Sequence, residues 1–275
     1  MHVSLFAIGF YWLATFALIQ GLHASVTASA DPAQRNPANL ASRIWPFLAI
    51  IAISVHAFVH GMVIKELGGA DLHFFSALSL VSLGMAILTL LFARDGKMAS
   101  AGIFVFPVAS VALLACEIAG HPKASPIIDW QLQLHAWIAL LSYATLAFAA
   151  LFAVMLWLQE RALQRRQWSH ALRSLPPLVT LETMLFRTIK AGFILLTLTL
   201  ITGIVFVSNL FEQHLAHKTF FSIISWLTFA ALLFGRMRYG WRGAKAVRWT
   251  LIAFAFLALS FFGVMYATEF VFGSR

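Results

Sequence analysis

Charge is scarce in this sequence. Lys, Arg, Asp and Glu make up 11% of its 275 residues, where a soluble domain needs roughly a quarter to cover its surface. Hydrophobic residues reach 61%, so most of the outer surface must face lipid. Acids are scarcer than bases, ten against nineteen, and no two carboxylates stand together as a general acid and base would. The one cysteine, Cys116, lies in an apolar run, which excludes a disulfide framework and a cysteine-based zinc or iron–sulfur centre. A Gly-rich phosphate loop and a nucleophile elbow are also missing from the sequence. These absences favour binding over bond making. The net charge of +9 does not imply nucleic acid, because the bases gather in short connections between apolar segments, as membrane topology dictates.

What is present is a series of long apolar runs. A bilayer core about 30 Å thick takes roughly 20 apolar residues per helix. Eight stretches qualify, near 4–24, 45–64, 73–93, 99–119, 133–158, 190–211, 219–235 and 247–270. Ala28-Ser29-Ala30 resembles a signal-peptide cleavage site, yet no Lys or Arg precedes the first run, and that run is longer than a signal core. The first run is therefore read as a retained helix. Between residues 159 and 189, the pattern predicts an extension of the fifth helix, a break at Pro176-Pro177, and a short surface helix. The expected fold is an all-α integral membrane protein of about eight transmembrane helices. Residues 1–275 form a single membrane domain, with a four-helix half over 1–129 and a second half over 130–275.

Lys and Arg set the orientation. Six lie between 159 and 190 and five between 236 and 248; with Arg35, Arg43, Arg94 and Lys97, fifteen of nineteen fall on one side. Lys65, Lys123, Lys218 and Arg275 fall on the other. Both termini are therefore expected on the outer side of the membrane, which the chain crosses several times.

In that topology most of the ten histidines lie toward the outer half. His56 sits near mid-membrane in the second helix, and His60, at i+4, shares its face. His73 opens the third helix, His135 opens the fifth, and His121, His214 and His217 fall in or beside outer connections. Imidazole inside a bilayer is costly unless it lines a cavity or meets a partner. A metal ion or haem iron would satisfy such rings; so would a carbonyl or hydroxyl on a neighbouring helix. His135, flanked by Trp130 and Trp137, suits an interfacial aromatic belt as well as an axial haem ligand. Glu117, at the outer end of the fourth helix, suits an interfacial position or a proton or cation site.

The segment Leu134-His135-Ala136-Trp137-Ile138-Ala139-Leu140-Leu141-Ser142-Tyr143-Ala144 resembles the opening of the conserved domain of the cytochrome c assembly superfamily (CcsA/CcmC/HemX). Ser225-Trp226 and Gly240-Trp241-Arg242-Gly243 resemble its next helix and basic turn. Pro176-Pro177-Leu178, Glu182 and the run from Leu195 to Gly203 are similar to its YpjD (HemX-like) branch. The resemblance implies a bacterial inner (cytoplasmic) membrane, with both termini on its periplasmic side and haem handling at that outer face, and His135 matches an outer axial histidine. It departs from the haem-delivering members in three places. The connection from Asn209 to Phe220 has no tryptophan, no histidine follows the last helix, and Phe234 stands near the place of a membrane histidine. His217, His73, His60 or His56 remains for a second ligand.

The expectation is thus a protein that binds haem b non-covalently and assists cytochrome c biogenesis or haem trafficking. Its partners are the bilayer, haem, and an apocytochrome or other biogenesis proteins, with no nucleic acid. Two alternatives stay open: an accessory scaffold or regulator that has lost haem, and a transporter of a small ion or metabolite.

Overall fold

A computed structural model describes residues 2–30, 40–69, 71–93, 99–120, 129–165, 176–206 and 213–266. Eight helices among these are long and apolar enough to cross a membrane. They are α1 (His2–Ala30), α2 (Leu40–Leu67), α3 (Phe74–Ala93), α4 (Gly102–Ala119), α5 (Trp130–Gln164), α6 (Leu178–Phe206), α7 (Gln213–Tyr239) and α8 (Gly243–Ala258). A 3₁₀ turn, Ala99–Ala101, leads into α4, and α8 continues through a π-helical turn, Leu259–Gly263, to Val264–Tyr266.

Two elements correct the sequence-based expectation. The extension of the fifth helix is present as far as Gln164, but no separate surface helix follows Pro176-Pro177. Those prolines instead stand immediately before α6, one continuous helix from Leu178 to Phe206, with the Pro177 carbonyl accepting from Leu181 N at 3.0 Å. The polar side chains of Glu182, Arg187 and Lys190 gave the appearance of a surface segment. They occupy the first turns of a spanning helix. Likewise α7 begins at Gln213, so most of the expected outer connection from Asn209 to Phe220 is helical.

α5 is the central helix. Its small residues let neighbours come close, the usual basis of helix association in lipid, where no hydrophobic drive separates protein from solvent. Leu146, Phe148, Ala149, Phe152 and Ala153 are fully buried. A Cβ added at Gly84 of α3 would stand 2.7 Å from Ala144 Cβ, and one at Gly192 of α6 would stand 2.5 Å from a Leu146 methyl. α5 packs on α3, α6 and α8, while α1 packs on α2 and α4, and α7 on α8.

The two ends of the bundle differ in chemistry. At one end, which we call the basic end, Glu182 of α6 is nearly buried and receives both Arg242 (Nε and Nη2, 2.9 and 2.8 Å) and Arg236 (Nη1, 2.8 Å). Arg236 also lies 4.6 Å over Phe186, and Lys245 4.0 Å over Trp241. This clamp fixes the tight turn between α7 and α8, where Gly240 and Gly243 take positive φ values of 64° and 53°, a region glycine enters without strain. At the other, histidine end, Ser4 of α1 donates to the Glu117 carboxylate at the end of α4. Phe74 at the start of α3 meets Phe262 and Tyr266 at the end of the last span.

Candidate functional site

Histidines occupy two unlike settings. In the first, α1, α2 and α3 bury a chain of hydrogen bonds. Tyr11 Oη lies 3.1 Å from His56 Nδ1, and the Nε2 atoms of His56 and His60 each lie 2.9 Å from the same Ser79 Oγ. The i, i+4 spacing stacks the two rings with centroids 5.3 Å apart. His56 and His60 are 0% and 3% exposed. A serine hydroxyl has one hydrogen and two lone pairs, so at least one of the two Nε2 atoms donates to it, and the two imidazoles are joined through Ser79. Phe106 stacks on Tyr11 with centroids 5.9 Å apart and closes that end of the chain.

The second setting is a cleft of about 210 Å³ at the histidine end, between α5, α6, α7 and the π turn. His135 lies in its wall. Its Nδ1 is 3.0 Å from Thr202 Oγ1, and the Thr199 carbonyl is beside the same ring. The Thr202 hydroxyl has the Leu198 carbonyl at 2.8 Å and the Thr199 carbonyl at 3.1 Å as acceptors for its one hydrogen. With the hydroxyl turned to either of them it accepts from His135, Nδ1 carries the proton and the lone pair is on Nε2, the arrangement in which a histidine ligates a metal while its other nitrogen is held. Gly203 makes room for the ring: a Cβ there would meet His135 Cε1 at 3.2 Å.

The π turn shapes the opposite wall. Turns of this kind inside an α-helix often occur at functional sites, and this one presents Ser260 and Phe261 to the cleft. Tyr143 Oη donates to the Leu257 carbonyl at 2.9 Å and lies 3.0 Å from Ser260 Oγ, which is 2.7 Å from Ser222 Oγ. Ser222, Ser260 and Tyr143 thus form a row of three hydroxyls along this wall. The remaining walls are largely apolar, and Lys218 Nζ stands 5.4 Å over the Phe261 ring at the cleft.

The other candidates are placed apart from this ring. His73 Nδ1 is 2.8 Å from Asp71 Oδ1, which holds the ring by its carboxylate; adjoining Phe74 leads through Phe262 to Tyr143. His73 is therefore at the same end as the cleft, across an aromatic wall. His217 is exposed on α7, beside Lys218. His121 lies outside the described residues. Among the described residues, no group of three or more His, Cys, Asp or Glu is placed to hold a metal ion. Sequence reasoning found the histidines and missed their partners Tyr11, Ser79 and Thr202, and also Lys218. One sign was available: Tyr is rare, with four in the chain, and both Tyr11 and Tyr143 are in these networks.

Comparison with known proteins gives the arrangement its context. Residues 44–272 match the model of a family described as cytochrome C assembly protein. The chain is 30% identical over 230 residues to the inner membrane protein YpjD of Escherichia coli K12, covering 80% of this chain and 86% of the relative. It is 28% identical over 197 residues to protein HemX of Brevibacillus brevis, covering 71% and 72% of the two chains. With the cytochrome c biogenesis protein CcsA of Guillardia theta it shares 28% identity over 167 residues, 52% of this chain and 54% of the relative. No solved structure matches the chain significantly. The eight apolar helices and the inner-membrane relative make this a multi-pass protein of the bacterial inner membrane, and the match across most of its length makes it a member of the cytochrome c assembly protein family.

Proposed function

We propose that the protein binds haem non-covalently at the His135 cleft, on the periplasmic side of the membrane, and so assists cytochrome c biogenesis. Family membership suggests a role in cytochrome c biogenesis or haem handling. The observation that carries the finer reading is the state of His135: Thr202 holds Nδ1, and the ring lies in the wall of a largely apolar cleft. The residues fit haem in kind, with a neutral imidazole, apolar walls and a cation. At about 210 Å³ the cleft is smaller than the roughly 300–1,000 Å³ of most ligand pockets, and it does not enclose a whole macrocycle. Bound there, haem brings an iron that accepts imidazole nitrogen.

Of the remaining histidines, His73 and His217 share the histidine end with His135 and are the candidates for a second ligand. Asp71 orients His73 as Thr202 orients His135. His56 and His60 do not offer opposed ligands, because both Nε2 atoms point at one hydroxyl. Placing the histidine end outside follows from the concentration of Lys and Arg at the basic end.

The test is the absorbance spectrum of the protein purified in mild detergent from haem-replete cells, oxidised and then reduced with dithionite. A Soret band that shifts on reduction, and that falls in His135→Ala, is the expected result. A protein colourless even after haemin is added would overturn the reading and leave the scaffold and transporter alternatives. A haem band unchanged in His135→Ala would overturn the site.

A further inference from the structure

The outer face of α6 changes character along its length. Arg187, Lys190, Ile194, Leu198, Ile201 and Val205 are all exposed, and their helical spacing sets them in one stripe. The opposite face, through Leu185, Ile189, Gly192 and Leu196, is buried. From Lys190 to Val205 the stripe is about 22 Å long at about 1.5 Å per residue, most of a hydrocarbon core about 30 Å thick. The aliphatic part therefore lies at acyl-chain depth, and Lys190 reaches the headgroup boundary on the side of the basic end. Arg187, one turn nearer that end, stands among the headgroups.

The protein does not neutralise these two cations itself. Glu182, the acid nearest to them in the chain, is nearly buried, and Arg236 and Arg242 take its two carboxylate oxygens. Among the described residues, the side chains of Arg187 and Lys190 have no hydrogen-bond or ion-pair partner. Charge at membrane depth is costly without a counterion or a path to water. Snorkelling would bring either side chain to water, but two cations on adjacent turns of one face also repel each other. A phosphate diester answers both costs. It carries a negative charge and acceptor oxygens, which a guanidinium binds through its planar fork and an ammonium as a point charge.

We propose that Arg187 and Lys190 form a headgroup site for an anionic phospholipid in the leaflet at the basic end, with its acyl chains along Ile194, Leu198 and Ile201. The charge selects the lipid class. A zwitterionic headgroup carries its own cation beside the phosphate, whereas an anionic one leaves the phosphate charge for the protein. The site is separate from the His135 cleft, whose α6 residues Thr199, Leu200 and Gly203 lie on the other face of the helix. The inference therefore does not depend on the haem reading.

The experiment is native mass spectrometry of the full chain in mild detergent, titrated with phosphatidylglycerol or phosphatidylcholine of the same acyl chains. Each basic residue near an anionic headgroup is worth about fivefold in binding, so wild type is expected to prefer phosphatidylglycerol about thirtyfold. The double variant Arg187→Gln with Lys190→Gln should lose that preference by weakening phosphatidylglycerol alone, and Lys190→Arg should keep it. Arg238 and Arg248 are exposed elsewhere at the basic end, so Arg238→Gln with Arg248→Gln removes the same charge away from the stripe and should leave the preference intact. Equal binding of the two lipids by wild type, which needs no variant to fold, would overturn the proposal. So would a preference that survives in the Arg187/Lys190 variant, or one that falls equally in the Arg238/Arg248 variant, since the field of the whole end would then be its source. If wild type shows no lipid preference but carries a second membrane protein that the Arg187/Lys190 variant loses, the stripe is a protein interface and the lipid site falls.

Discussion

His56 and His135 are both imidazoles inside a helix bundle, and their surroundings are opposed. Both ring nitrogens of His56 are bonded to protein, one toward Tyr11 and one to Ser79, with no exposed surface. His135 has Nδ1 fixed by Thr202 and the rest of its ring in the wall of a cleft. The first arrangement answers the cost of a polar ring in lipid from within the fold; the second leaves part of that cost to be met by whatever enters. The difference teaches that a histidine in a membrane span is a functional candidate only after its nitrogens are followed to their partners. In α1–α3 they lead back into the protein, and in α5–α8 they lead to a space.

The comparison breaks most sharply on stability against ligand binding. His56→Ala removes a buried ring and takes from Tyr11 Oη its His56 partner, while Ser79 keeps His60. A cost of about 3 kcal/mol is expected from the cavity and the lost bonds, read as a large fall in Tm in detergent. The haem content of the protein that remains folded should be unchanged. His135→Ala should do the reverse, with a small change in Tm and loss of the Soret band. If His56→Ala instead removes haem at unchanged Tm, the assignment of the two settings is inverted.

Ser79→Ala sharpens the same point with less disturbance. It deletes one oxygen, yet both Nε2 atoms lose their partner, and one of them is a donor left in a buried site. Hydrogen bonds between membrane helices average about 0.6 kcal/mol, with a maximum near 1.7. Because two are lost, the expected cost is about 1–2 kcal/mol in Tm-derived stability. A neutral result would mean that the two rings find other partners and that the network does not hold α2 to α3.

Much of the fold was legible in the sequence, for a physical reason: eight apolar runs of membrane length have few other ways to fold in lipid. Where the reading failed, at the start of α6, polar residues entered a spanning helix because a partner on another helix satisfied them. Glu182 is tolerated near the end of a span because Arg236 and Arg242, more than fifty residues later in the chain, close on it. Composition along one segment cannot show that. The candidate site was legible only in part for the same reason. His135 declared itself by its motif and His56 and His60 by their spacing, but what separates them, Thr202 against Ser79, depends on which helices meet. The π turn that presents Ser260 and Phe261 had no sequence signature either, since Leu259-Ser260-Phe261-Phe262-Gly263 reads as ordinary spanning sequence.

The finest probe of the comparison is Gly203→Ala. A Cβ at this position would stand 3.2 Å from His135 Cε1, tighter than ordinary contact, and the ring must give by a few tenths of an ångström. In a packed interior such a change costs little in stability, about 1 kcal/mol or less. At a ligand site the same displacement turns the imidazole away from the direction Thr202 gives it, and misplaced ligand geometry is felt in affinity before it is felt in folding. The expected outcome is an unchanged Tm with a weakened or shifted Soret band, smaller than the loss in His135→Ala and absent from an equivalent change at Gly61, whose added Cβ would meet nothing within 4 Å. A fall in Tm with the spectrum intact would show that Gly203 serves the packing of α6 on α5, and that the ring of His135 is held for the fold's sake, as His56 is.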